Sequence, residues 1–193
     1  MTFFRMTPHV HETHRRLSLS DDLSKKDRER QLDLYSFSKL IAEIEAGNEV
    51  VFDVKEVNTD VEFKPLVPWA SRAIVVTDTC PPEIAQIVEE HCRRFELRTR
   101  DRSFFGYVPK AHYDAFDDQK SFFRGMDRNS IITVSRMVID TSKIGDAPIF
   151  NLVGGTHLQR TLLVNDDFFF EYQWYHCQGW IFFPVRESAH YKS

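Results

Sequence analysis

The sequence lacks a long hydrophobic run. Its best stretch, 180–185, is WIFFPV, far short of the about 20 apolar residues a membrane-spanning helix needs, so no membrane segment is expected. Structure-breaking residues are few: 7 glycines and 8 prolines in 193 residues, with no internal repeat. That excludes collagen-like, low-complexity and wholly disordered chains. The three cysteines, Cys80, Cys92 and Cys177, stand outside any CxxC spacing. This excludes a disulfide scaffold and points to reduced thiols in a cytoplasmic protein. No charge sign dominates: 25 Lys and Arg face 29 Asp and Glu, for a net charge of −4. That leaves no electrostatic case for nucleic acid. The opening MTFFRMTPHVHETHRR holds no continuous apolar core, so a secretory signal is not expected. Also missing are GxGxxG, a Walker loop, a GxSxG elbow and HExxH.

Phenylalanine is what the chain has in excess. It supplies 17 residues of a 13% aromatic content, and most lie at or beyond Phe104. They come in runs, Phe104-Phe105, Phe168-Phe169-Phe170 and Phe182-Phe183. Consecutive residues on a strand face opposite ways. Only about half of such a run can fill one interior; the rest must meet a helix, an arm or another subunit.

Residues 1–30 are polar and charge-dense, which predicts an extended arm. A single α+β domain is expected over 31–193, β-rich from about 103. Leu34, Phe37, Ile41 and Ile44 recur at helical spacing, and Val50, Phe52 and Val54 alternate as a strand. Residues 63–68, interrupted by two prolines, fit an edge or a loop. Residues 73–77 form a β-branched run, and a helix with an apolar stripe of Ile84, Ile87, Val88, His91 and Phe95 follows at Pro81. Strands are expected at 103–108, 131–140, 149–153, 158–164, 168–175 and 180–185, with a short helix at 113–124. Asn165-Asp166 fits a hairpin turn.

Several residue sets could carry chemistry. His9, His11 and His14 have spacing for a divalent metal, against the simpler reading of a solvated polar tail. Cys177 with His157 or His176 could form a nucleophile pair, against the simpler reading of a buried thiol. Asp53-Val54-Lys55 after a helix bearing Glu43 and Glu45 echoes a Mg2+-nuclease core. Arg93, Arg94, Arg98, Arg100 and Arg102 make a basic run, the pattern of a solvated face. His112-Tyr113-Asp114 with a later His190 supplies the two imidazoles and one carboxylate of a facial iron triad.

The surroundings of that last set, Gly179-Trp-Ile-Phe-Phe-Pro184 followed by Glu187-Ser-Ala-His190, resemble the distal segment of the 2-oxoglutarate/Fe(II)-dependent oxygenases of prolyl-hydroxylase type. Residues 73–95 look like that family's entry strand and first helix, and Tyr107 stands before the HxD as a tyrosine does there. The resemblance implies Fe(II) held by His112, Asp114 and His190, with 2-oxoglutarate as co-substrate. It also implies an antiparallel jelly-roll-like core, a double-stranded β-helix, carrying the N-terminal arm and helices. The family anchors the co-substrate with a basic residue, often on a strand after the second histidine. Only three residues follow His190 here, which leaves Arg136 and Arg160, with Tyr107 beside them, as candidates.

A second reading needs no catalytic set. A structural or virion-type assembly protein would use the aromatic β-half and the arm for subunit contacts, as a homo-oligomer or with an assembly partner.

Overall fold

Two open sheets of mixed strand direction carry the molecule. The computed structural model describes residues 1–9, 14–34, 36–69 and 73–188, with only the backbone of residues 37 and 156. The elements run β1 (Phe3–Pro8), β2 (Arg16–Leu19), α1 (Lys25–Leu34), α2 (Phe37–Glu45), β3 (Val51–Val57), β4 (Leu66–Trp69) and β5 (Ala73–Val76). Next come α3 (Pro82–His91), β6 (Cys92–Arg98), β7 (Ser103–Pro109), β8 (Ala111–Tyr113), β9 (Phe122–Arg124), β10 (Thr133–Arg136), β11 (Val138–Ile139) and β12 (Ile149–Leu152). The last are α4 (Thr156–Gln159), β13 (Leu162–Asn165), α5 (Asp166–Trp174), β14 (Trp180–Pro184) and β15 (Arg186–Glu187). The class is α+β.

The six-stranded sheet has the order β2-β3-β6-β7-β5-β4, and the five-stranded sheet β14-β1-β13-β12-β8. Pairs β3·β6 and β8·β12 are parallel within otherwise antiparallel ladders. Helices α1 and α2 lay Leu34, Leu40, Ile41 and Ile44 on one face of the larger sheet, against Phe52, Trp69, Phe95 and Leu97. Its other face joins α3, α5 and the smaller sheet in one core, where Leu66, Ile74 and Tyr107 meet Met6, Ile149, Leu162 and Val164. The far face of the smaller sheet closes over Phe3, Phe116, Phe150 and Leu163.

Several expectations change. Instead of a free arm, residues 3–8 form β1, which lies between β13 and β14 and buries Phe3 and Met6. Helix α1 starts further upstream than expected, where the Ser24 hydroxyl accepts the Asp27 N–H and donates to the Asp27 carboxylate at 2.6 Å. No helix forms at 113–124. The Asp117 carboxylate accepts the Gln119 and Lys120 N–H groups, which turns the chain, and Phe116 bridges to Ile139.

The largest difference is α5. The run FFFEYQW is helical because Asn165 caps it: its side-chain oxygen accepts the Phe168 N–H at 2.9 Å. Asp166 and Asp167 then occupy the first turn, where the helix dipole favours anions. Phe168 and Tyr172, four apart, are buried on its inner face. Cap, dipole and i,i+4 burial together outweigh the strand preference of the aromatics. No helix among the described residues is long and apolar enough to cross a membrane.

Candidate functional site

Two of the three residues of the oxygenase set, His112 and Asp114, lie among the described residues. Strand β8 is an edge of the five-stranded sheet, and His112 sits opposite Asn151 of β12. The His112 Nδ1 lies 3.3 Å from the Lys110 carbonyl, and burial holds the imidazole below its ordinary range. Asp114 accepts from Arg128 Nη1 at 2.6 Å, so a guanidinium stands where a cation would be coordinated. His190 lies outside the described residues. Tyr107 is on β7 of the other sheet, where its hydroxyl donates to Glu89 at 3.2 Å; burial, with Glu89 beside it, pushes the phenol up to about 12. Arg136 donates to the Lys120 carbonyl at 3.1 Å and stacks over Phe122 at 3.9 Å, while Arg160 is exposed beyond α4. No three His, Cys, Asp or Glu side chains gather as a metal group among the described residues. Of the three proposed iron ligands, His112 and Asp114 are described, and each is engaged by its own chain.

In two of the weaker sets the side chains are engaged or buried by the fold. Asp53 is held twice by Gln31, whose Nε2 donates to its carboxylate at 2.9 Å and whose Oε1 accepts its N–H at 3.2 Å. Lys55 pairs with Asp21. The expected nuclease pair therefore ties α1 and the 20–24 turn to β3. Cys177 is buried, and burial pushes its thiol up to about 11, far from a nucleophile's range. Burial likewise pushes Cys80 and Cys92 up to about 12. His9 and His14 stand edge to face with ring centroids 5.5 Å apart; His11 lies outside the described residues.

What stands out is the outer face of α5. Its inner residues are sealed, with Phe168 at 0% and Tyr172 at 1% exposure, whereas Phe170 is 64% and Trp174 78% exposed. Phe169, on the flank, stacks on Phe4 at 4.2 Å and meets Phe182 edge-on at 5.2 Å. The helix ends at Trp174 with Tyr175 as its C-cap, and His176 then takes a left-handed φ of 53°, the usual place for a glycine. That turn closes an open groove of about 590 Å3 lined by Phe170, Glu171, Gln173, Trp174 and His176.

Charge distinguishes this face. Helices α3 and α5 pack together, and the Tyr175 hydroxyl donates to Glu83. Between them the helices carry Glu83, Glu89, Glu90, Asp166, Asp167 and Glu171, and neither has a lysine or arginine.

The aromatic pairs on true strands alternate as expected. Phe104 is 7% exposed and Phe105 41%, with Arg94 lying over the Phe105 ring. Phe182 packs with α5, and Phe183 turns to the other face under Arg5. The run at 168–170 follows helical spacing instead, so its exposed partner is Trp174. The signal available in the sequence was Asn165-Asp-Asp preceding an i,i+4 pair. No protein-family model matches this chain, and no curated protein matches it.

Proposed function

We propose that this protein is a non-catalytic assembly protein that associates through the outer face of α5. The observation that carries this is the exposure of Trp174 and Phe170, one helical turn apart, on a helix whose opposite face is fully buried. Exposed aromatics in a groove are the residues that anchor protein interfaces, and Trp174, 78% exposed, buries little surface within its own chain. The oxygenase reading receives less support. It needs a carboxylate open to metal at Asp114 and a jelly-roll winding, and the sheets here are open and contain parallel pairs.

Strand β14, the other apolar edge, is a poor second interface. His9 N–H bonds Gly179 O and Val185 N–H bonds Phe3 O. By antiparallel alternation, Arg5↔Phe183 and Thr7↔Ile181 then point their backbone groups inward. Of the outward N–H groups, that of Trp180 is accepted by Tyr172 Oη at 3.1 Å, and Pro184 has none. That edge is blunted against strand addition.

Light scattering across the micromolar range tests the proposal. Wild-type mass should rise with concentration, and the double variant F170A/W174A should remain a monomer with unchanged thermal melting. A wild type that stays monomeric throughout contradicts it.

A further inference from the structure

Strongly exposed apolar side chains concentrate in two places. Apart from Met1, the large apolar residues that are 60% exposed or more among the described residues are Phe122, Met126 and Ile132 on the β9–β10 hairpin and Phe170 and Trp174 on α5. Leu32 follows at 52%, and the rest lie at 44% or below.

The two patches differ in shape and in charge. The α5 face is a groove lined in part by Glu171, with Glu83 and Glu171 both close to the Tyr175 hydroxyl at its end. The hairpin is a projection. Met126 stands 95% exposed at its turn, and residues 122–136 carry Arg124, Arg128 and Arg136 against Asp127 alone. Arg128 is engaged by Asp114 and Asp118, and Arg136 covers Phe122, so the exposed Arg124 is the cation that the hairpin presents.

The turn under Met126 is braced from within and from below. The Asp127 carboxylate accepts the Asn129 and Ser130 N–H groups, and the Ser130 hydroxyl accepts those of Met126 and Asp127, each at 2.9 Å. The Arg128 carbonyl accepts the Gly155 N–H at 3.2 Å, and Arg128 Nη2 donates to the Phe116 carbonyl at 3.3 Å. A Cβ at Gly155 would overlap the Asn129 carbonyl oxygen, so glycine is what lets the two loops meet. The backbone that presents Met126 is thus fixed before any partner arrives, which lowers the ordering cost of binding.

Building on the reading of α5 as the interface, we infer that the copies join head to tail: the β9–β10 hairpin of one chain seats Met126 in the Phe170–Trp174 groove of the next. Methionine suits that place, because its flexible thioether fills irregular apolar space and packs well on aromatic rings. Arg124 meets the acidic side of the groove. Groove against groove about a two-fold axis would set Asp167 and Glu171 against their own copies, and tip against tip would do the same for Arg124. The mixed contact covers both apolar patches and opposes unlike charges. It leaves one tip and one groove unfilled at the ends of every short assembly, so growth continues to a ring or a filament.

The test is a complementation experiment by light scattering. M126D removes the apolar tip and keeps the groove; F170A/W174A does the reverse. Both change exposed side chains, so each variant should melt like wild type. Each should be monomeric alone at concentrations where wild type associates, M126D through a loss of about thirtyfold in affinity, the size of an interface hot spot. An equimolar mixture should form a two-chain complex and stop there, because the remaining tip fits the remaining groove. Wild-type association should weaken as salt rises; association that tightens with salt would mark groove-to-groove pairing and overturn the inference. If M126D associates like wild type while F170A/W174A does not, the groove takes another occupant: the head-to-tail inference fails and the α5 interface stands. A mixture that remains monomeric also overturns the inference. A wild type that never associates removes both.

Discussion

Glu56 shows what a single residue contributes here. It accepts from Arg15 Nε at 3.0 Å and from Arg102 Nε at 2.9 Å, and both guanidinium groups also lie over the Phe63 ring, at 4.5 and 5.5 Å. Burial alone raises its pKa, but the hydrogen bonds from Arg102 and Arg15 outweigh it and hold the carboxyl below the usual range. A carboxyl with a depressed folded pKa stabilises the fold above its unfolded value of about 4.3. That stabilisation is lost as pH falls through the folded pKa. Glu56→Gln should therefore lower the urea midpoint at neutral pH and flatten its decline on acidification below about pH 4.3. An unchanged acid slope, measured by urea unfolding across that range, contradicts the assignment. None of this was legible in the sequence. Glu56 is one acid among 29 acidic residues, and its partners come from residues 15, 63 and 102, which only the folded sheet brings together.

Among the elements, α5 decides the functional reading. Its sequence is aromatic enough to pass for a strand, and the preceding Asn-Asp passes for a hairpin turn. The same asparagine, buried at 3% exposure, is instead the helix cap. Asn165→Ala should cost about 1 kcal/mol from the lost cap, seen as a lower urea midpoint with an unchanged slope. A neutral result would mean that tertiary packing alone holds the helix. Elements with regular spacing and one buried face were readable: α3 from its stripe at Ile84 and Val88, and the buried run of β5. Elements decided by a side-chain turn were not, as Asp117 shows, since its two N–H acceptances replace the expected helix at 113–124 with a turn into β9.

At the scale of the whole molecule, α+β organisation followed from the sequence, but the topology did not. The opening residues look like an arm because charged residues follow them closely, yet Phe3 and Met6 bury on opposite faces of β1 in the middle of a sheet. Strand β1 pairs with β13 and β14, whose paired residues lie 156 or more positions later, and periodicity has no reach over that distance. The HxD motif was legible as a motif, but its partners were not: Arg128 occupies Asp114, and Tyr107 belongs to the other sheet. Much of the phenylalanine excess fills the sheet faces and the inner side of α5; among the described residues Phe105, Phe122, Phe170 and Phe183 remain exposed, Phe170 beside Trp174, while Arg94, Arg136 and Arg5 lie over the other three rings.

That outward face is most directly tested by tryptophan quenching. The chain has three tryptophans; Trp69 and Trp180 are 3% and 6% exposed, so acrylamide-accessible emission reports Trp174. As concentration rises and light scattering shows association, accessibility of that emission should fall toward the buried level. Assembly that grows in mass while Trp174 stays fully quenchable would contradict the claim that the α5 face is where this protein binds.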